Sequence, residues 1–93
     1  MEVIFSESAK AEVRHAARYY EEEVDGLGKI FLSYVEGSIE EIERFPLASR
    51  VIKNNFRRFL VPRFPYGTIY RVEGTLIFVS AVMHLKRRPF YWE

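Results

Sequence analysis

The chain has 93 residues, no cysteine, and eight Phe, six Tyr and one Trp. That length leaves room for one domain over residues 1–93, excludes a disulfide framework or thiolate metal site, and with so many rings excludes a disordered chain. The formal net charge of +1 hides a split: residues 1–49 carry five Lys/Arg and eleven Asp/Glu (net −6), residues 50–93 nine and two (net +7), so the second half is expected to meet something anionic.

Glu2 to Phe5 reads as a first or edge strand ending at Ser6, and Ser6 or Ser8 is a candidate helix cap. Ala9, Val13, Ala16, Ala17, Tyr20 and Val24 recur at three- and four-residue spacing and predict a helix over about 7–24. Glu12 falls outside that stripe, and Glu21-Glu22-Glu23 reads as a solvated helix end. Asp25-Gly26-Leu27-Gly28 breaks the helix. Leu27, Phe31, Tyr34, Val35, Ser38, Ile42 and Phe45 then predict a second helix, ended by Pro46. Gly37 inside it predicts a close helix–helix contact. The two helices form an antiparallel hairpin.

From Phe56 the period changes to that of strands. Phe56 to Val61, Tyr66 to Glu73 and Leu76 to His84 are rich in aromatic and β-branched residues, with Glu73-Gly74 as a tight turn. Leu76–His84 is apolar on both faces and is expected inside the sheet. The fold class is therefore α+β, in the order β-α-α-β-β-β, with the helical hairpin covering one face of a mainly antiparallel sheet of three or four strands. The N-terminus lacks a basic stretch followed by an apolar one, which predicts no signal peptide, and no run approaches the roughly 20 residues of a membrane span. A cytoplasmic location with no membrane contact is expected.

The sequence lacks a Gly-rich phosphate loop and metal-ligand spacing, so no cofactor and no metal are expected. His15 reads as a surface residue. What remains is basic and aromatic: Arg50, Lys53, Arg57, Arg58 and Arg63 before or on one strand, Arg71 on the next, then His84, Lys86, Arg87, Arg88, Tyr91 and Trp92. Alternation separates Arg57, Phe59 and Val61 from Arg58 and Leu60, so at most one of the two arginines faces the helices. Arg71 lies in so apolar a strand that its guanidinium needs a partner. Such groups could bind phosphate, stack bases, or supply acid, base and charge stabilisation for a 2′-hydroxyl attack.

Arg57-Arg58-Phe59-Leu60-Val61, the run from Arg63-Phe64-Pro65-Tyr66 to Tyr70-Arg71-Val72, and His84-Leu85-Lys86-Arg87-Arg88-Pro89-Phe90-Tyr91-Trp92 resemble the RelE/ParE toxin superfamily of bacterial type II toxin–antitoxin systems. Ile42-Glu43-Arg44-Phe45-Pro46 agrees more loosely. The resemblance spans essentially the whole chain and implies one toxin domain of the order read above. It implies one of two targets. RelE-like members cut mRNA on the ribosome, and the matching positions here are Arg57 or Arg58, Arg63, Arg71, His84 and Tyr91. ParE-like members inhibit DNA gyrase. Lys53 stands alone where several RelE-type nucleases have paired lysines, and the tail is closer to the ParE type, so gyrase inhibition is the leading expectation and mRNA cleavage the alternative. Both imply a cognate antitoxin with an acidic C-terminal segment, and a dimer or hetero-oligomer with it. Arg57, Arg58, Arg63, Lys86, Arg87, Arg88, Tyr91 and Trp92 are the expected contacts to target or antitoxin, and the helical hairpin and an exposed sheet edge are the expected docking surfaces.

Overall fold

The structure, a computed structural model, describes residues 1–88 and 90–92; Pro89 of the tail motif lies outside the described residues. β1 (Glu2–Phe5) leads into Ser6, whose Oγ accepts the Ala9 N–H at 3.0 Å and starts α1 (Glu7–Glu23). The same Oγ donates to the Ser80 carbonyl at 3.0 Å, so the cap also fixes the helix to the sheet. α1 buries Ala9 and Ala16, whose small side chains let the helix lie close to the strands. Gly26, at φ 87°, turns the chain into α2 (Leu27–Arg44). α2 ends one residue before Phe45 and Pro46, as expected.

The close helix–helix contact expected at Gly37 lies at another glycine. A methyl at Gly37 would meet nothing within 4 Å, so Gly37 makes no close helix–helix contact. The close approach is at Gly28, where a Cβ would lie 2.6 Å from the Ala17 carbonyl oxygen. Glu21 is likewise no mere solvated helix end. Its two carboxylate oxygens accept the N–H groups of Gly26 (2.8 Å) and Gly28 (3.0 Å), capping α2 from the end of α1.

Four further strands follow: β2 (Arg50–Lys53), β3 (Phe56–Leu60), β4 (Tyr66–Glu73) and β5 (Leu76–His84). The sheet has five strands in the order β1-β5-β4-β3-β2, so the α+β class holds with one strand more than three or four. β2 was hidden because it is four residues long and half of it is charged. β1 pairs with β5 in parallel, and the remaining pairs are antiparallel. β5 lies inside the sheet, as its two apolar faces predict. The tight turn is Gly74-Thr75, one residue later than expected, with Gly74 at φ 59° between the paired Glu73 and Leu76.

Both helices pack on one face of the sheet. There Phe31, Val35 and Ile42 of α2 meet Tyr70, Ile77, Val79 and Val82, all buried. Phe31, Phe64, Tyr20 and Tyr66 form a ring cluster with centroids 5.0 to 6.3 Å apart. Burying Phe31 alone is worth about 2–3 kcal/mol. The Tyr70 hydroxyl donates to the Pro46 carbonyl at 2.7 Å, tying the end of α2 to the sheet centre. The opposite face carries Ile69, Ala81 and Met83 and is covered by Ile52, Phe56, Tyr91 and Trp92. The C-terminal tail is thus the lid of a second, smaller core.

Candidate functional site

The tail is held at one carboxylate. A register shift after Ile69 makes a bulge in β5, because Ile69 pairs with Ala81 while Tyr70 pairs with Val79. β1 has ended by that point, so this edge of β5 faces α1. Glu12 of α1 reaches it: Oε1 accepts the Val82 N–H at 3.0 Å, and Oε2 accepts the Tyr91 hydroxyl and lies 3.3 Å from the Arg87 guanidinium. Arg87 also sits 3.9 Å from the centroid of the Tyr91 ring. Burial, and then the hydrogen bond to Glu12, raise the Tyr91 phenol above its ordinary pKa. Trp92 reaches across the sheet and packs on Phe56 with centroids 4.6 Å apart.

Glu12 escaped the sequence reading. Its partners lie 70 to 79 residues away, but one local signal was present. It stands three residues after Ala9 and four before Ala16, on the face that α1 buries.

The predicted basic residues are dispersed. Arg57 points to the helix side with Phe59, and its Nη1 donates to the carbonyls of Leu47 (3.0 Å) and Ser49 (2.7 Å), where it pins the connection from α2 to β2. Arg58 points the other way, its stem lying over Gly67. Arg71 shares that open face: its guanidinium lies 4.7 Å from the Phe78 centroid and 3.3 Å from a Glu73 oxygen, which supplies the partner its strand required. Arg63, at φ 68° in the β3–β4 connection, lies 5.7 Å from the Tyr34 ring centroid. Lys86, Arg87 and Arg88 follow β5 and are exposed.

His84 is at none of these places. It lies beside Tyr66 (centroids 5.2 Å) at the end of β5, and its Nδ1 accepts the Lys86 N–H at 3.1 Å, which leaves Nε2 as the ring's other hydrogen-bonding atom. His15 is exposed, yet it shares a groove of about 330 Å³ with His84, Tyr66, Glu12 and Arg87. Burial, followed by Tyr20 and Glu12, raises the Tyr66 phenol above its ordinary pKa. Among the described residues no three His, Cys, Asp or Glu side chains could hold a metal ion, and no helix is long and apolar enough to cross a membrane.

A second groove, of about 490 Å³, runs along the outside of the helical hairpin beside β1. Its floor is apolar, with Phe5, Val13, Leu32 and Ile39, and its rims carry Lys10 and Arg14 on α1 and Glu36 and Glu40 on α2.

A family model described as the ParE toxin of type II toxin–antitoxin systems, parDE, matches residues 3–89. No curated protein matches the chain. Among solved structures, one described as a chromosomal ParDE TA system from P. aeruginosa is similar, with 18% identity and a TM-score of 0.66 over 90% of this chain and 95% of that one. At that identity the likeness is one of fold.

Proposed function

The chain belongs to the ParE toxin family of type II toxin–antitoxin systems, and from that premise we propose that it acts as a single toxin domain that binds DNA gyrase and is neutralised by a cognate antitoxin. The observation that carries the choice of a binding mode over mRNA cleavage is the dispersal of the residues that match the nuclease positions, Arg57, Arg58, Arg63, Arg71, His84 and Tyr91. Cleavage through a 2′-hydroxyl requires an acid, a base and a guanidinium around one phosphate. Here Arg57 is bound to backbone carbonyls on the helix side, and Arg58 and Arg71 lie on the opposite face. His84 sits in the groove beside α1, Arg63 lies over Tyr34, and the Tyr91 hydroxyl is committed to Glu12. The basic residues that remain at the surface, Arg58, Lys86, Arg87 and Arg88, suit a protein partner with an acidic surface.

The antitoxin has a matching surface in the groove of the helical hairpin. An apolar floor between rims of both signs suits an amphipathic helix laid along it. Arg58 and the tail then serve the target or the acidic remainder of the antitoxin.

The test is to purify the toxin and run two assays side by side, supercoiling by gyrase and mRNA cleavage on translating ribosomes. Loss of supercoiling with intact mRNA is the expected result. Cut mRNA with normal supercoiling would sink the proposal.

A further inference from the structure

β2 and β3 set two arginines directly opposite one another. Arg50 is the cross-strand partner of Arg58, on the face away from the helices. Like charges in that position repel across the strands. Among the described residues no carboxylate, carbonyl or ring lies in hydrogen-bond, ion-pair or stacking contact with either guanidinium. Both line one pocket of about 260 Å³, with Ile52, Met83, Phe90 and Trp92 as its apolar walls. The Trp92 indole Nε1–H is buried and has no acceptor among the described residues.

Two facing guanidiniums are donors only. Both line a pocket in which no described residue offers either of them an acceptor. We propose that this pocket receives the carboxylate of an aspartate or glutamate side chain from an acidic polypeptide. A carboxylate offers two coplanar oxygens, which guanidinium groups bind in a fork, and its aliphatic stem fits against Ile52, Met83 and Phe90. The polypeptide source follows from β2, the last strand of the sheet. An extended segment can pair along that edge and drop every second side chain towards the face that Arg50 and Arg58 share. The absent side chain at Gly67 is part of the site. A methyl there would come within 3.0 Å of Arg58 Cγ and Cδ, so glycine leaves the path by which Arg58 reaches the pocket. This inference rests on the protein-binding reading above and names the chemistry of the bound segment.

Trp92 is the chain's one tryptophan, so its emission reports the pocket directly. The purified toxin is titrated with an octaglutamate peptide at fixed ionic strength. A saturable change in Trp92 emission is expected, weakened at least tenfold by Arg58→Gln and by Arg50→Gln and unchanged within twofold by Arg88→Gln. Gly67→Ala, which alters no charge, is expected to weaken it several-fold. Arg50→Gln is also expected to raise the melting temperature of the unliganded protein by relieving the repulsion. Equal losses for Arg88→Gln and Arg58→Gln would overturn the site in favour of diffuse attraction. Tighter binding of a single-stranded oligonucleotide than of the peptide would also overturn it. Supercoiling inhibited by a toxin that does not bind the peptide refutes this inference alone, whereas peptide binding without gyrase inhibition refutes the target alone.

Discussion

Replacing Glu12 with alanine should detach the tail from the domain. The carboxylate is only 15% exposed and serves three donors. Loss of Oε1 strands the Val82 N–H at the bulge, at a cost of about 1–3 kcal/mol. Loss of Oε2 leaves the Tyr91 hydroxyl to find water, about 1 kcal/mol after that compensation. The Arg87 pair adds well under 1 kcal/mol, since that side chain is 53% exposed. The three overlap, so the variant should lose about 2–4 kcal/mol, which for a domain of this size lowers the melting temperature by roughly 10–25 °C. Glu12→Gln keeps an acceptor for Val82 and should lose about 1 kcal/mol. Circular dichroism gives the melting temperature, and Trp92 emission reports the tail separately, because Trp92 reaches its site through Tyr91. A Glu12→Ala melting temperature within 2 °C of the parent would refute the reasoning. So would a large drop with Trp92 emission unchanged at 20 °C.

Two helix glycines should respond in opposite directions to alanine. Gly28→Ala places a methyl against the Ala17 carbonyl and should destabilise by about 1–3 kcal/mol, whereas Gly37→Ala meets open space and should stabilise by about 0.5–1 kcal/mol; paired thermal melts check the signs. Alkaline pH should weaken the fold. The Tyr91, Tyr66 and Tyr20 phenols all have folded pKa values raised by burial, so the unfolded chain releases their protons first. Their contribution is complete below about pH 10, the unfolded tyrosine value, and declines as pH rises from there towards the folded values. Urea midpoints between pH 8 and 11 should fall above pH 10, with a shallower fall in Tyr91→Phe.

The two helices were legible because each writes its buried face at a spacing of three and four residues, from Ala9 to Tyr20 and from Phe31 to Ile42. β4 and β5 were legible because their short runs are rich in aromatic and β-branched residues and flank a Gly turn. β2 was not, since Arg50-Val51-Ile52-Lys53 is too short to show a period and takes its stability from β3. Arg57 and Arg58 were placed correctly on opposite faces, because alternation is a local rule. What Arg57 does there is a matter of where Leu47 and Ser49 turn their carbonyls, which no local rule predicts. The tail motif was visible as residues, and its anchoring was not: the partner of Arg87 and Tyr91 lies on the first helix.

The parallel pairing of β1 with β5 has a consequence for the time at which this protein becomes a toxin. Ser6 and Ser80, 74 positions apart, meet where the cap of the first helix touches the sheet. β5 is an interior strand and the floor on which α1 lies. A chain emerging from the ribosome therefore makes its helical hairpin early and can hold it only loosely, because β5, which completes the core, is synthesised after it. Closing so long a loop is slow compared with helix formation, so there is an interval in which the hairpin exists without the sheet that holds it. An antitoxin that recognises the hairpin would meet its target during that interval, before the tail has found Glu12.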